Sequence, residues 1–427
     1  MALPKAKTDA TEARLSGLSI PEGGAAWARE ARQDALNRLT GMGLPYRRDE
    51  YWRFTNPAEF LARETPRAEI ALDAPGFEET DVLRVVFTDG VFDAEASDDL
   101  SLEHLEIERF SEAVTKDIHW IKGLLGVLET AGQNRVDRPL ATFNTAFAED
   151  GIVLRATGKV SKPVHLDYRR SDDRAEAVLR HVVRVENGAD LTLLESGVGA
   201  ARLNTAMEVD IADRGGFHHV RMQGRDHERR AATHVFARLG EESTFKSFTL
   251  SLNGMMTRNE VIVTLKGDDA VAHVAGAALG DGRDFHHDDT VFITHDAVNC
   301  ESRQVFKKVL RNGATGVFQG KILVEPGAQK TDGYQISQSL LLDEDANFLA
   351  KPELEIYADD VQCSHGSTSG AIDETALFYL KSRGIPEDKA QDLLVLAFVA
   401  EALAEIEDED LAETLRLQLA GWLERRR

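Results

Sequence analysis

Residues 301–370 read ESRQVFKKVLRNGATGVFQGKILVEPGAQKTDGYQISQSLLLDEDANFLAKPELEIYADDVQCSHGSTSG, and this stretch decides the fold. Small turn groups interrupt it, each with Gly or Asp where a tight bend or a positive φ is needed: RNGAT at Arg311, EPGAQ at Glu325 and DEDAN at Asp343. Their centres at Gly313, Gly327 and Asp345 lie 14 and 18 residues apart. That spacing is on the scale of one or two sides of a β-helical coil.

The same pattern extends over residues 140–370. Short runs there alternate with the period of two that is typical of strands, as in Val183 and Val185, or Val261, Val263 and Leu265. Similar turn groups separate the runs: ENGAD at Glu186, DRGG at Asp213 and KGDDA at Lys266. So many short strands fit either an antiparallel sandwich or barrel or a solenoid of parallel strands. The pattern alone leaves both architectures open.

Helical patterns flank this β region. From Trp27 to Leu39 apolar residues recur at helical spacing, and Gly41, Gly43 and Pro45 end the pattern. VLRVVF, which begins at residue 82, predicts a strand between this helix and the β region.

The chain returns to helix after Asp373, which is predicted to cap DETALFYLKSRG, with Gly384 at the C-terminal end. Pro386 suits the first turn of the next helix. Two apolar stripes follow: Leu393, Ala397, Ala400 and Leu403, then Leu411, Leu415, Leu419 and Trp422. These stripes are expected either to pack internally or to dock a partner.

Charge excludes one class of function. The chain has 50 Lys and Arg residues against 73 Asp and Glu residues, a formal net charge of −23 at pH 7. Such a surface repels a phosphate backbone, because nucleic-acid affinity comes from Lys and Arg that displace counterions. We therefore expect no nucleic-acid partner.

The sequence also predicts the compartment. MALPKAKTDATEARLSG at the N-terminus lacks the apolar core of an export signal. The longest apolar stretch, LLVLAFVAEALA from Leu393, is broken by Glu401 and is shorter than the roughly 20 residues that a membrane span needs. We expect a cytoplasmic protein without membrane contact. Its two cysteines, Cys300 and Cys363, lie outside any CxxC, which argues against a disulfide framework and a four-cysteine metal site.

The densest polar group is DFHHDDTVFITHD. It offers imidazole and carboxylate ligands that suit zinc or iron: Asp284, His286, His287, Asp288, Asp289 and His295. Adjacent strand residues face opposite sides, so His286 and His287 cannot both reach one metal without a bend. We expect solvated turn residues here, with a mononuclear metal enzyme built on His286, His287 and His295 as the alternative. His218 and His219 meet the same objection and are expected to be surface or ladder residues.

The CSHG sequence at residues 363–366 brings a thiol and an imidazole, Cys363 and His365, to the same side of a strand. Both groups can bind iron or zinc. Two ligands do not close a tetrahedral site, so a metal here would need a second chain or solvent. Taken alone, this short pattern favours a buried structural cysteine.

The common catalytic signatures GxSxG, HExxH, Walker A and GxGxxG are absent from the sequence. ATP hydrolysis of the P-loop type would require a Walker A loop. A β-helical carbohydrate-active enzyme that uses paired carboxylates stays open as an alternative, since the chain is rich in Asp and Glu.

Residues 301–370 closely resemble the core of the SufB and SufD family. DETALFYLKSRGIPEDKAQDLLVLAFVAE is similar to the family's C-terminal helical segment, and RRDEYWRFTNP at Arg47 is similar to its N-terminal motif. Within the family, ADDVQCSHG follows the SufD pattern. Gln362 and the STSG tail depart slightly from the commonest SufD spelling, but Cys363 and His365 keep their places.

The resemblance implies a mainly β fold, in which a right-handed parallel β-helix lies between helical terminal regions. The sequence then divides into an N-terminal helical and mixed region at 1–139, the β-helix at 140–370 and a C-terminal helical domain at 371–427.

The resemblance also implies a role in iron-sulfur cluster assembly as a non-catalytic scaffold subunit. The β-helix would pair edge to edge with that of SufB. The C-terminal helices would dock the SufC ATPase, and the residues expected to do so are Leu377, Phe378, Leu393 and Leu396. ATP binding by SufC would then expose the interface with SufB.

At that interface, His365 and Cys363 would contact iron or a transient cluster. The sulfur donor would act through SufB, and SufB would also supply the main thiolates. No cofactor is expected to bind this chain stably on its own, because two cysteines cannot supply the four thiolates of a usual cluster site.

Overall fold

The computed structural model describes residues 3–70, 76–224 and 226–425. Its helices are α1 (Lys5–Leu15), α2 (Ala26–Met42), α3 (Ala58–Leu61), α4 (Phe110–Ala113), α5 (Val127–Ala131), α6 (Pro139–Phe147), α7 (Glu374–Ser382), α8 (Glu387–Leu403) and α9 (Glu409–Arg425). Short 3-10 helices lie at Glu50–Trp52 and Trp120–Gly123.

The strands belong to two sheets. They are β1 (Leu83–Thr88), β2 (Val91–Phe92), β3 (Leu105–Arg109), β4 (Ile152–Ala156), β5 (Val164–Arg169), β6 (Glu176–Val185), β7 (Asp190–Gly197), β8 (Arg202–Ile211), β9 (Gly216–Gln223), β10 (Arg230–Leu239), β11 (Thr244–Leu252), β12 (Met256–Leu265), β13 (Val271–Asp281), β14 (His286–His295), β15 (Glu301–Arg311), β16 (Thr315–Val324), β17 (Thr331–Leu341), β18 (Asn347–Ile356) and β19 (Val361–Gly370).

From β4 onward, consecutive strands alternate between the two sheets, so that two strands and their turns make one coil. Sheet A has the order β19-β17-β15-β13-β11-β9-β7-β5-β1-β2, and sheet B the order β18-β16-β14-β12-β10-β8-β6-β4-β3. Each strand from β4 to β17 pairs in parallel with the strand two positions later in the chain. The prediction of a parallel β-solenoid between helical regions is confirmed, and the antiparallel sandwich is wrong. β1 and β3, which precede residue 140, join the same two sheets.

Side chains of the same register position stack inside the solenoid. On sheet B, Val183, Val209, Ala237, Val263 and Ile293 pair in sequence from coil to coil and are all buried. Burial of one such aliphatic side chain stabilises the fold by about 1.5–3 kcal/mol. This interior stacking explains the period-two pattern, since the alternate residues face outward.

The turns stack as regularly as the strands. Arg214, Glu242, Asp269, Asn299 and Lys330 occupy corresponding turns on successive coils, and each has a positive φ of 52° to 59°. The backbone N–H of Asp269 donates to the carbonyl of Val298 on the next coil at 3.0 Å, and the other four residues make the corresponding bond. The turn groups ENGAD, DRGG, KGDDA and EPGAQ lie on this side of the coils, whereas RNGAT and DEDAN lie on the opposite side.

Helices cover the outer faces of both sheets. In the N-terminal region, Trp27 and Tyr51 pack in a cluster with Phe236 and Phe292 of sheet B. In the C-terminal region, α8 and α9 pack on sheet A, and the residues they bury include Val395, Val399, Leu415, Leu419 and Trp422. No described helix combines the length and apolar character needed to cross a membrane.

The predicted start of α7 is confirmed, because the Asp373 carboxylate accepts hydrogen bonds from the backbone N–H groups of Thr375 and Ala376. The predicted stripe on α8 is wrong in its position. Val395, Val399 and Ala402 are buried, whereas Leu393, Ala397 and Ala400 are exposed and Leu403 alone of that stripe is buried. The helix α8 carries apolar residues on several faces, so sequence spacing does not determine which face packs against sheet A.

The two ends of the solenoid differ. At the N-terminal end, the short strand β2 pairs antiparallel with β1, and β3 pairs antiparallel with β4. At the C-terminal end, β18 and β19 are the outermost strands of sheets B and A, so each lacks a neighbour on one side within the described residues. We call this the open end, defined by β18 and β19.

Candidate functional site

The CSHG sequence lies on β19 at the open end. Cys363 is partly buried and packs beside Leu354 and Val361 against an interior cluster that contains Ile322. His365, two residues further along the strand, lies on the same side and is exposed. The thiol therefore rests on the solenoid interior, while the imidazole remains accessible to a second chain.

Cys363 fits its place because its neighbour on β17 is glycine. Gly333 pairs with Cys363, and a Cβ at Gly333 would lie 3.2 Å from the Cys363 sulfur. Partial burial raises the pKa of the Cys363 thiol, and the nearby Asp332 carboxylate raises it further. At neutral pH the thiol is therefore protonated, and a metal or a base must remove its proton before it can act as a thiolate ligand.

The second cysteine does not join the first. Cys300 is buried at the turn before β15, where its thiol donates a hydrogen bond to the carbonyl of Gly267 at 3.3 Å. Burial raises the pKa of the Cys300 thiol. Cys300 behaves as a structural cysteine.

The open end also exposes apolar surface. Ile356 and Tyr357 are exposed where β18 ends. The Tyr357 hydroxyl donates to Glu355 at 2.6 Å, so one side of the ring is fixed near the edge of sheet B. An unpaired strand with apolar side chains beside it is a typical surface for pairing with another chain.

The residues predicted to dock an ATPase lie on two helices. Phe378 on α7 is 73% exposed and Leu393 on α8 is 47% exposed, whereas Leu377 and Leu396 are partly buried. Sequence reasoning missed the neighbouring Tyr379, which is 55% exposed. Because α7 has no buried residue, its apolar side chains stabilise little of this chain by themselves.

The DFHHDD group is not a solvated turn, which corrects the prediction. His287, Asp288 and Asp289 are buried strand residues of β14, and only Asp284 is exposed. The predicted alternation is confirmed, because His286 and His287 have partners on opposite sides of the strand. His286 Nε2 lies 3.0 Å from the Thr55 hydroxyl, and His287 Nδ1 lies 2.8 Å from the Lys308 ammonium.

Each buried carboxylate of this group has a cation beside it. Arg258 donates to Asp288, and Lys308 donates to Asp289 at 2.7 Å. His295, by contrast, is a separate buried side chain bonded to Ser302. The metal-enzyme hypothesis on His286, His287 and His295 is therefore wrong. In the described parts of the chain, no set of three or more His, Cys, Asp or Glu side chains is placed to hold a metal.

The adjacent histidines on β9 also face opposite ways. His219 is buried in the interior, where its ring lies 2.7 Å from Glu195 and 2.9 Å from Ser247. His218 is outward and lies 3.6 Å from both Asp190 and Glu407. His218 is the ladder residue at the surface that the sequence predicts, whereas His219 belongs to the core.

His218 is the first residue of a column of basic side chains on sheet A that sequence reasoning missed. His218, Lys246, His273 and Arg303 are register partners on β9, β11, β13 and β15. We call them the basic column. They meet Glu405 and Glu407 in the acidic turn between α8 and α9. A regular spacing of cationic residues on alternate strands is the signal that could have revealed it.

These features define a class of protein: a two-sheet parallel β-solenoid with one open end that presents a thiol and an imidazole, and with a helical appendage that exposes aromatic residues. The family model for "SUF system FeS cluster assembly, SufBD core domain" matches residues 168–398. The chain therefore belongs to the SufBD family of the SUF iron-sulfur cluster assembly system.

Curated relatives agree with this family. The chain is 28% identical to the iron-sulfur cluster assembly protein SufD of Escherichia coli, with 89% of this chain and 90% of that protein covered. It is 29% identical to a SufBD family protein of Synechocystis, with 90% and 89% covered. A chloroplastic Arabidopsis thaliana protein, ABCI7, is 29% identical over 62% of this chain and 58% of its own length. Within the family the chain is SufD-like.

Proposed function

We propose that this chain acts as the SufD-type subunit of a scaffold that contains SufB and SufC. Its open end pairs with the β-helix edge of SufB, and its C-terminal helices dock the SufC ATPase. ATP binding by SufC rearranges the subunits and exposes the interface at which the cluster forms. The observation that carries the proposal is the exposed His365 on the unpaired strand β19.

The available ligands support a cluster site that is shared between two chains and not one that is complete within this chain. His365 and Cys363 offer one imidazole and one half-buried thiol, while the other cysteine is committed to the core. Iron and sulfide are cargo in this proposal, and SufB supplies the remaining ligands and receives sulfur from the donor. The chain itself is a non-catalytic subunit that holds no stable cluster alone, and ATP reaches the complex through SufC.

Exposure on α7 and α8 supports the docking part of the proposal. Phe378, Tyr379 and Leu393 leave apolar surface in water on helices that stand outside the solenoid. Aromatic anchors of this kind are enriched at the centres of protein interfaces. The docking helices also connect directly to β19 through residues 371–373, so a displacement of α7 is close in sequence to the strand that carries His365.

Two proline variants on β19 test the edge pairing, and each controls for the other. Successive backbone N–H groups on a strand point to opposite sides, so Thr368→Pro and Ser369→Pro remove one donor toward β17 and one toward the open edge. The variant that keeps wild-type thermal stability is the edge variant. It should lose SufB in co-expression and native mass measurement while SufC stays bound.

A fold-competent proline variant that still forms a wild-type complex with SufB would contradict edge pairing. A wild-type chain that fails to form any complex with SufB and SufC would contradict the proposed function as a whole.

A further inference from the structure

Two glutamine side chains, stacked in register in the solenoid interior, lie in line with His365 on sheet A. Gln304 on β15 pairs with Gln335 on β17, and Gln335 pairs with His365 on β19. Both glutamines are completely buried. Gly320 leaves the space that the Gln335 amide occupies, since a Cβ there would lie 2.2 Å from the amide nitrogen.

The hydrogen bonds of these stacked glutamines have a fixed direction. The carbonyl of Lys321 can only accept, and Gln304 Nε2 donates to it at 3.4 Å. The Oε1 atom of Gln304 therefore faces Gln335, and Gln335 Nε2 donates to it at 2.7 Å. A primary amide has one NH2 group that donates and one carbonyl oxygen that accepts. Because the NH2 group of Gln335 is used in this bond, its oxygen remains available as an acceptor.

That oxygen is left without a partner. Gln335 Oε1 is buried and accepts no hydrogen bond from any described group. A buried acceptor in this state is destabilising, so a donor that reaches it is favoured. His365 is the register partner of Gln335 on the open side and carries a ring N–H, although its exposed ring makes no hydrogen bond to this oxygen in the structure.

We infer that Gln335 is a positioning residue for His365: when the exposed ring rotates toward Gln335, the unpaired oxygen accepts a hydrogen bond from the ring N–H and fixes which tautomer His365 adopts. A neutral imidazole has one N–H and one lone-pair nitrogen, directed to nearly opposite sides of the ring. With the N–H held toward Gln335, the lone pair faces outward from the open end. This inference rests on the proposed function of His365 toward iron or a nascent cluster.

Three variants separate the roles of the amide. Gln335→Met keeps the length of the side chain and removes the acceptor. Gln335→Glu keeps an acceptor at the same place and, like the methionine variant, lacks the N–H that Gln335 donates to Gln304. Gln338→Met is the matched control, because Gln338 lies on the same strand but faces outward, where it accepts a hydrogen bond from Lys307.

The first measurement is the tautomer of His365 in the full-length chain. With 15N-labelled histidine, two-bond proton–nitrogen spectra distinguish the N–H from the lone-pair nitrogen, and His365→Ala identifies the signal. We expect one dominant tautomer in the wild type, in Gln335→Glu and in Gln338→Met, and a mixture in Gln335→Met. A wild-type mixture, or an unchanged tautomer in Gln335→Met, would overturn the inference.

The second measurement is cluster assembly in cells that depend on this pathway. Loss of a group that orients a histidine ligand lowers metal-site function by about 10- to 100-fold. Gln335→Met should show such a fall with normal complex yield, and Gln335→Glu should recover most of the activity. Wild-type activity in Gln335→Met would overturn the positioning role. Wild-type activity in His365→Ala would instead contradict the proposed function, while the tautomer measurement would still decide whether Gln335 holds the ring.

Discussion

Nδ1 of His273 on β13 lies 3.2 Å from a carboxylate oxygen of Glu405 in the acidic turn between α8 and α9. On its other side, His273 Nε2 lies 3.2 Å from Glu301. Glu407 in the same turn meets Lys246 and His218 of the basic column. The acidic turn is therefore one ionic attachment between the helical appendage and sheet A, and the pair of Lys307 on β15 with Glu401 on α8 is another.

Glu405→Gln is expected to weaken this attachment by about 1 kcal/mol, because a charge-assisted hydrogen bond becomes a neutral one. The hydrogen bond from His273 lowers the pKa of Glu405. The carboxylate therefore stabilises the folded state fully above its unfolded pKa of about 4.5, and that stabilisation is lost as pH falls toward the lower folded value. Urea unfolding followed by tryptophan fluorescence, at pH 7 and below pH 4, measures the difference. The exposed Glu409→Gln is the control, and equal stability of both variants at pH 7 would contradict the attachment.

Phe378→Glu should weaken SufC binding without unfolding the chain, since the ring is mostly exposed. Loss of a central aromatic anchor costs about 2 kcal/mol or more, roughly thirtyfold in Kd. Leu417→Glu on α9 is the matched control, because Leu417 is also exposed. Equal SufC copurification by both variants would remove Phe378 from the interface.

Truncation after residue 370 is a less informative test of the same docking surface. It would also uncover the face of sheet A that α8 and α9 bury, including Phe248 and Val305. Loss of SufC in that variant could then reflect aggregation, which the point variants avoid.

His365→Ala should reduce iron-sulfur enzyme activity in cells that rely on this pathway, while complex yield and thermal stability stay near wild type. The reason is that an exposed imidazole contributes little to packing. Cys363→Ala is the comparison: as a ligand it should resemble His365→Ala, and as a core thiol it should lower stability before activity. Equal loss of complex and activity in His365→Ala would indicate a structural role.

Asp288→Ala should lower the free energy of unfolding by about 3–5 kcal/mol, because it removes one carboxylate beside the buried Arg258 guanidinium. The neighbouring Glu260 remains ionised: burial by itself would raise its pKa, but Arg258 and Arg138 hold the pKa at about 2. Chemical denaturation of the full-length chain measures the loss. Asp284→Ala in the exposed turn before β14 should change stability by less than about 0.5 kcal/mol. Similar values for the two variants would show that the Asp288 ion pair is not structurally important.

Local patterns in the sequence predict the elements of this fold better than their arrangement. VLRVVF gives β1, and Asp373 caps α7, because strand periodicity and capping depend on nearby residues. Parallel and antiparallel strands have the same side-chain period of two. Strand pattern therefore does not distinguish the solenoid from a sandwich, and the resemblance to the family does. The buried state of His287 and Asp289 also escaped prediction, because Lys308 lies on the next strand of the other sheet.

The site was predicted only in part for the same reason. The spacing of Cys363 and His365 places both on one side of a strand, and local geometry suffices for that. Gln335 lies 30 residues away in the chain and becomes a neighbour of His365 only through the coil length. Contacts that depend on the coil length cannot be read from short motifs.

The difference between the two ends of the solenoid limits how many copies can associate. A stack of parallel strands with two bare ends would be a template for open-ended filaments, since each added molecule would offer a new edge. In the parts of the chain that the structure describes, the antiparallel strands β2 and β3 interrupt the parallel stacking at one end, and β18 and β19 present long parallel edges at the other. Edge pairing at the open end, as proposed above, would therefore terminate after one addition and give a discrete pair instead of a fibre.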